Sequence, residues 1–161
     1  MRQKTIYLRD EAETIALGKS LAQAMVPGKK IYLCGDIGSG KTTMVRAALR
    51  ELGYSDHVRS PTFSLAEHYT VAINDAPVDF IHFDLFRMKN KEEFTEAGFE
   101  EYFDTDAVCV VEWPEKASGL IPVPDLEFIF LIIGTGRKCI MKGLSENGAN
   151  AIGKICVEMH D

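Results

Sequence analysis

The sequence predicts an α/β fold with a central mixed, largely parallel sheet that is flanked by helices and carries β-hairpins. Three observations predict it. An apolar strand runs into a glycine-rich turn that a helical pattern follows, a fully apolar run is typical of a buried central strand, and short turns join two further pairs of strands. The chain has 161 residues, so we expect one domain that covers residues 1–161.

The first half of the chain alternates strands with helices. Residues 4–8 alternate weakly and predict a short edge strand, after which Asp10 is typical of a helix N-cap. Residues 30–34 form the strand before the glycine-rich turn, and Gly53 is the expected end of the helix that starts after Lys41. The apolar stripes of the two helices are Leu17, Leu21, Ala24 and Met25 in the first, and Met44, Val45, Ala48, Leu49 and Leu52 in the second.

The second half of the chain is richer in strands. Residues 107–111 are the apolar run that we expect at the centre of the sheet. The two expected hairpins pair residues 62–71 with 78–83 and residues 126–133 with 138–144. The expected helices are one or two short ones in residues 89–103, broken at Gly98, and a last one in residues 150–159.

Composition and charge exclude several classes of protein. The formal net charge of -6 disfavours direct binding to nucleic acid phosphates. No secretory signal or membrane-spanning stretch is evident, so we expect a cytoplasmic protein without a membrane partner. Cysteines never occur at Cys-x-x-Cys spacing, which argues against a zinc site; the four are Cys34, Cys109, Cys139 and Cys156.

The glycine-rich turn carries the strongest functional signal. It matches Gly-x-x-x-x-Gly-Lys-[Ser/Thr] at every fixed position, which predicts a P-loop NTPase domain. Its backbone N–H groups and the following helix N-terminus are expected to bind phosphates, with Lys41 on the β- and γ-phosphates and the Thr42 hydroxyl on Mg²⁺. The predicted nucleotide-binding residues here are Gly35, Asp36, Ile37, Gly38, Ser39, Gly40, Lys41, Thr42 and Thr43.

Two acidic residues are candidates for the second part of a metal site. Asp84 ends the strand of residues 78–83, and Glu112 ends the apolar run of residues 107–111. A carboxylate just beyond a buried strand is costly unless a cation or hydrogen-bond donors compensate it. Each residue alone also fits a plain turn cap, and the sequence leaves open which of the two contacts Mg²⁺ directly.

Three more residues have both a structural and a functional interpretation. Thr62, in Ser60-Pro61-Thr62, is placed either to sense a γ-phosphate or to form an ordinary turn. His82 shares its strand face with apolar residues, so we interpret it as structural. Trp113 follows Glu112 and is either a core residue or a reporter of nucleotide or partner binding.

Two rival P-loop classes fit less well. A GTPase needs Asn-Lys-x-Asp, whereas Asn90-Lys91-Glu92-Glu93 ends in glutamate, and Arg87 stands where Asp-x-x-Gly would need its glycine. A small-molecule kinase usually needs several arginines to close on its phosphates, and few lie beyond the P-loop helix. Those arginines are Arg59, Arg87 and Arg137.

Four motifs together resemble the bacterial TsaE family, also called YjeE. They are the phosphate loop through Thr43, Ser60-Pro61-Thr62-Phe63, His82-Phe83-Asp84-Leu85-Phe86-Arg87 and Glu112-Trp113-Pro114-Glu115. The resemblance extends from Asp10-Glu11 to Gly136-Arg137 and so covers nearly the whole chain. It departs from the family at Phe86, where tyrosine is common, and at Ile37 and Ser39, where leucine and alanine are usual.

The resemblance implies an ATPase required for forming threonylcarbamoyladenosine (t6A) in tRNA. Such a protein joins TsaB and TsaD and uses ATP to support turnover of that complex, contacting tRNA only indirectly. By position, the resemblance implies Lys41, Asp84, Glu112 and Thr62 as catalytic residues, and Thr42, Glu112 and Asp84 as Mg²⁺ ligands. It also places Glu11, Gly136 and Arg137 beside the ATP or ADP.

The leading hypothesis is therefore a Mg²⁺-dependent ATP hydrolase that is slow alone, because no arginine finger is evident, and is completed by a partner. The alternatives are a P-loop small-molecule kinase and a nucleotide-dependent binding switch. The acidic residues 92–101 are either a surface for a partner or a solvated helix face.

Overall fold

The computed structural model describes residues 1–59, 61 and 64–155. In this part of the chain the strands are β1 (Arg2–Leu8), β2 (Lys30–Cys34), β3 (Ala66–Ile73), β4 (Ala76–Asp84), β5 (Val108–Glu112), β6 (Leu126–Ile133) and β7 (Gly136–Gly143). The helices are α1 (Glu11–Gln23), α2 (Lys41–Glu51), α3 (Lys91–Glu96) and α4 (Glu146–Lys154), with short 3-10 helices at Phe99–Asp104 and Pro114–Ala117.

One mixed sheet contains all seven of these strands, in the order β1-β7-β6-β2-β5-β4-β3. Its centre is parallel, because β2 pairs with both β5 and β6, and β5 pairs with β4. Antiparallel hairpins lie towards the two sides, β3–β4 on one and β6–β7 on the other, and β1 adds antiparallel to β7 as an edge strand. The predicted α/β class, parallel centre and hairpins are thus confirmed.

Apolar residues cover both faces of the sheet. In β2, Ile31 and Leu33 point into a large cluster that includes residues of α1, α2 and α4, whereas Tyr32 points into a smaller cluster on the other face. The smaller cluster contains Phe94 of α3 and Ala117 of the second 3-10 helix. Burial on both faces explains the continuous apolar runs of the central strands.

Helix α1 positions the start of α2. Gly18 allows the contact, because a Cβ at this residue would lie 2.5 Å from the carbonyl oxygen of Met44 and 2.7 Å from the Cβ of Ala47. At the other end of α1, the Asp10 side chain accepts a hydrogen bond from the backbone N–H of Glu13, as its predicted N-cap role requires. The close packing therefore fixes the first turns of α2 against α1.

Several predicted strand boundaries are wrong. Strand β3 begins at Ala66 and ends at Ile73, whereas the prediction was residues 62–71, of which 62 and 63 lie outside the described residues. The strand continues to Ile73 because Asn74 and Asp75 both have positive φ and form a two-residue turn. Pro77, expected in the turn, pairs within the hairpin instead. Strands β1 and β7 each begin two residues earlier than predicted.

The last helix also begins earlier than predicted, at Glu146 rather than at residue 150. The Ser145 side chain accepts a hydrogen bond from the Gly148 N–H and donates one to Asp125, so it caps the helix at that point. The predicted end of this helix lies outside the described residues. No helix in the described part of the chain is long and apolar enough to cross a membrane.

Candidate nucleotide-binding site

The glycine-rich loop connects the end of β2 to the start of α2, as predicted. Gly35, Gly38 and Gly40 have φ of 144°, 81° and 108°, in the region that favours glycine. Gly35 has a second constraint, because a Cβ there would lie 2.7 Å from the Phe130 carbonyl oxygen and 2.8 Å from Ser39 Oγ. The loop can follow this path only with glycine at its first position.

A cavity of about 480 Å³ opens above the loop. Its lining residues are Leu8, Asp10, Glu11, Thr14, Ile37, Gly38, Ser39, Gly40, Lys41, Thr42, Thr43, Pro61, Asp84, Phe86, Arg87, Glu112, Trp113, Thr135 and Arg137. The cavity therefore brings together most of the predicted site residues. Gly35, Asp36 and Gly136 do not line it, and Thr62 lies outside the described residues, so its predicted role stays a prediction.

Asp84 and Glu112 are direct neighbours at the ends of two parallel strands. They are paired in the register of β4 with β5. Alternation places them on the same sheet face as Phe80 and Val110, which belong to the cluster that contains α2. Both predicted carboxylates thus face the start of the P-loop helix.

Glu112 is the centre of the polar contacts in the site. It is buried, and its Oε2 accepts a hydrogen bond of 3.4 Å from the Thr42 hydroxyl. The same Oε2 lies 2.6 Å from His82 Nε2, and Oε1 lies 3.9 Å from Lys41 Nζ. The structural interpretation of His82 therefore missed a contact with a predicted site residue. His82 and Glu112 are 30 positions apart and belong to different motifs, so no sequence signal indicated the contact between them.

Lys41 is folded back onto the protein. Its Nζ donates a 2.5 Å hydrogen bond to the Gly35 carbonyl oxygen and lies 4.2 Å from the centroid of the Trp113 ring. Trp113 has φ 59° and ψ 51°, a left-handed conformation that costs a non-glycine residue roughly 1–2 kcal/mol. Its ring also lies 5.0 Å from that of Phe86. The tryptophan is thus part of the cavity wall, and it also packs, partly buried, against the smaller hydrophobic cluster.

The pair of carboxylates fits a cation. Burial, followed by the negative charge of Glu112, raises the pKa of the half-buried Asp84 carboxyl above its ordinary value. A hydroxyl and two carboxylates form an oxygen donor set suited to Mg²⁺. No cluster of three or more His, Cys, Asp or Glu suited to a metal occurs in residues 1–59, 61 and 64–155. Mg²⁺ usually keeps several waters and takes phosphate oxygens beside one or two carboxylates.

Arg137 contacts the loop itself. Its Nε donates to the Ser39 carbonyl oxygen at 3.1 Å, and one of its terminal nitrogens donates to the Gly38 carbonyl oxygen at 3.0 Å. The residue lines the cavity, as Glu11 does, but its guanidinium supports the loop from the side. Gly136, its predicted companion, lies against the backbone of Leu8, where a Cβ would come within 2.8 Å of the carbonyl oxygen.

A strand, a glycine-rich loop and a helix that starts with Lys41 and Thr42 define a P-loop protein. The family model described as "Threonylcarbamoyl adenosine biosynthesis protein TsaE" matches residues 8–144. The chain therefore belongs to the TsaE family, and the resemblance noted in the sequence is confirmed.

Individual relatives agree with this assignment. The chain is 37% identical over 131 residues to the tRNA threonylcarbamoyladenosine biosynthesis protein TsaE of Haemophilus influenzae. The matched region covers 78% of this chain and 80% of that protein. Identity to the protein of the same name from Bacillus subtilis is 35% over 126 residues, with 78% and 76% covered. A crystal structure of YdiB from Bacillus subtilis superposes with a TM-score of 0.77 at 26% identity, over 96% of this chain and 94% of that one.

Proposed function

We propose that this chain is a Mg²⁺-dependent ATPase of tRNA threonylcarbamoyladenosine biosynthesis that acts in the cytoplasm together with TsaB and TsaD. One observation carries the proposal. Lys41, Thr42, Asp84 and Glu112 converge on one cavity above the phosphate loop. Membership in the TsaE family supports the pathway.

Each residue has a task in this proposal. Lys41 exchanges the Gly35 carbonyl oxygen for phosphate oxygens, where its charge stabilises the negative charge that develops during transfer. Thr42, with Glu112 and Asp84, would hold Mg²⁺, which when bound neutralises phosphate charge and orients the γ-phosphate. One of the two carboxylates would contact the metal directly, and the other would act through a water ligand and orient the attacking water.

The partners complete the proposal. Among the described residues that line the cavity, the arginines are Arg87 and Arg137, and the latter is already bonded to loop carbonyl groups. We therefore expect slow hydrolysis by the chain alone and faster hydrolysis with TsaB and TsaD. The net charge of -6 supports contact with tRNA through those proteins and not directly.

The test measures phosphate release from ATP and from GTP, by the chain alone and with TsaB and TsaD. We expect Mg²⁺-dependent hydrolysis of ATP in preference to GTP, stimulation by the partners, and a loss of about 10²–10³-fold in Lys41→Ala. Lys19→Ala, an exposed lysine on α1, is the matched control. If the partners neither bind nor stimulate, and Lys41→Ala hydrolyses ATP like the parent, the proposal fails. Transfer of phosphate to a small acceptor would instead favour a kinase.

A further inference from the structure

We propose that His82 is a positioning residue, which fixes the Glu112 carboxylate in the orientation that faces the nucleotide cavity. The inference deepens the proposed function and rests on it. It starts from the 2.6 Å distance between His82 Nε2 and Glu112 Oε2, between two side chains that are almost completely buried. This is the shortest of the three polar contacts that the Glu112 carboxylate makes with described residues.

The sheet register creates this contact. His82 is paired with Val110 across β4 and β5, so Glu112 lies two positions further along the neighbouring strand, on the same face. A long side chain spans this diagonal separation. The contact therefore depends on two strands whose positions are fixed by the core, and not on a flexible loop.

Hydrogen-bond chemistry fixes the form of the histidine. A carboxylate only accepts hydrogen bonds, so Nε2 must carry the proton that it donates to Glu112. Nδ1 is buried and has no partner among the described residues. The geometry therefore makes Nε2 the donor in this contact.

Packing alone does not explain a histidine at this position. The neighbouring inward-facing residues of β4 are Val78 and Phe80, and an apolar side chain would continue their cluster without an unpaired nitrogen. The ring nitrogen that is satisfied is the one directed at Glu112. A histidine is thus explained by what it does to the carboxylate.

Fixing Glu112 matters because a second orientation is close. Lys41 Nζ lies 3.9 Å from Oε1, and a flexible glutamate freed from His82 would turn towards this cation and form a closer ion pair. Such a pair would occupy both the lysine and the carboxylate. Outer partners of metal ligands typically account for about 10–100-fold in metal affinity or activity.

The experiment compares His82→Leu, which fills space without a donor, with His82→Gln, which keeps an N–H of similar reach. Phe80→Leu, on the same strand face, controls for packing alone. Calorimetry measures ADP affinity with and without Mg²⁺, and kinetics measure kcat, the ATP KM and the Mg²⁺ midpoint. We expect His82→Leu to lose about 10–100-fold in kcat or in Mg²⁺ midpoint. Its KM and its Mg²⁺-free ADP affinity should be nearly unchanged, with recovery in His82→Gln.

The control and the protein itself keep the inference falsifiable. Phe80→Leu should lower the unfolding temperature without moving the Mg²⁺ midpoint. Equal Mg²⁺ midpoints in the parent and His82→Leu, or equal shifts in His82→Leu and Phe80→Leu, would overturn the inference. If the parent with TsaB and TsaD hydrolyses no ATP, the proposed function fails, while the effect of Mg²⁺ on ADP affinity still tests His82.

A measurement on the unmodified protein covers the case in which the variants do not fold. Long-range ¹H–¹⁵N correlation spectra report which imidazole nitrogen carries the proton. We expect a proton on Nε2 of His82, as the hydrogen bond to Glu112 requires. A proton on Nδ1 with a bare Nε2 would contradict the proposed hydrogen bond.

Discussion

The two walls of the cavity are built in opposite ways. The loop wall is the phosphate loop, residues 35–42, of which residues 37–42 line the cavity. It is contiguous in sequence, and glycine backbone conformations shape it. The strand-end wall consists of Asp84 and Glu112, with His82 buried behind Glu112. It comes from two strands that meet only through the parallel register of β4 with β5. The loop wall acts mainly through its backbone and the strand-end wall through its side chains. We therefore expect substitutions in the loop wall to impair nucleotide binding and substitutions in the strand-end wall to impair hydrolysis.

The largest effect is expected at Gly35 in the loop wall. Gly35→Ala forces a Cβ against the Phe130 carbonyl oxygen, in a backbone conformation that alanine rarely adopts. Strain and overlap together should lower the free energy of unfolding by about 2–5 kcal/mol and abolish nucleotide binding. Denaturant unfolding and ADP calorimetry measure the two losses.

Two other glycines separate strain from overlap. Gly38 and Gly53 have φ of 81° and 92°, and a Cβ at either would meet no atom within 4 Å. Gly38→Ala and Gly53→Ala should each cost only about 1–2 kcal/mol from backbone strain. If Gly35→Ala lowers the free energy of unfolding by no more than Gly53→Ala does, the expected overlap with the Phe130 carbonyl oxygen does not destabilise the protein.

The strand-end wall should respond in hydrolysis and not in phosphate binding. Glu112→Gln keeps an oxygen that accepts the hydrogen bond from His82 but removes the charge. Hydrolysis of MgATP should fall by about 10²–10³-fold, while ADP affinity measured without Mg²⁺ should stay close to that of the parent. Glu127→Gln, a glutamate of β6 outside the cavity lining, is the matched control. If Glu112→Gln lost hydrolysis and Mg²⁺-free ADP affinity to the same extent, the two walls would not have separate roles in binding and hydrolysis.

Arg137 tests whether the loop wall needs support from the rest of the fold. Arg137→Ala removes the donors to the carbonyl oxygens of Gly38 and Ser39, so ADP affinity should fall roughly tenfold. Arg137→Lys should not restore it, because an ammonium group lacks the planar fork that reaches both oxygens. Lys138→Ala, the next residue along β7, is the control. Full recovery by the lysine variant would show that only the charge matters.

The same contrast explains how much the sequence could predict. Gly35 to Thr42 form a local motif, and Asp84 and Glu112 end apolar strands, so both were found from pattern alone. The order and register of the strands depend on nonlocal packing. The sequence pattern predicted the α/β class but not this order.

The contacts that the sequence did not specify depend on that packing. His82 contacts Glu112 only because β4 and β5 are parallel neighbours, and Arg137 reaches the loop only because β6 and β7 extend the sheet beside β2. Trp113 lies in the cavity wall with a left-handed backbone conformation, which the pattern of side chains does not predict. The prediction for Thr62 falls outside the described residues.

Asp84 should make stability depend on pH in an unusual direction. Burial and the charge of Glu112 raise its pKa in the folded state, so this state binds the proton more tightly than the unfolded chain does. The resulting contribution to stability is present below the unfolded pKa and is lost as the pH rises through the folded pKa. Asp84→Asn should lack this loss and gain stability relative to the parent as the pH rises.

Urea unfolding of the parent and Asp84→Asn between about pH 3.5 and pH 7 measures the difference. Asp104→Asn, at an exposed position on the 3-10 helix, is the matched control. A difference between the parent and Asp84→Asn that is constant with pH, or that changes with the opposite sign, would show that burial and the charge of Glu112 do not raise the pKa of Asp84 in the folded state.

The smallest effect returns to the loop wall, at Ser39. Its Oγ is buried without a partner among the described residues. A buried hydroxyl that makes no hydrogen bond costs free energy, so Ser39→Ala should raise the free energy of unfolding by about 1 kcal/mol. Ser118→Ala, at an exposed serine, should change it by less than about 0.5 kcal/mol. A loss of stability in Ser39→Ala would mean that the hydroxyl has a partner, and that the loop wall also depends on a side-chain contact.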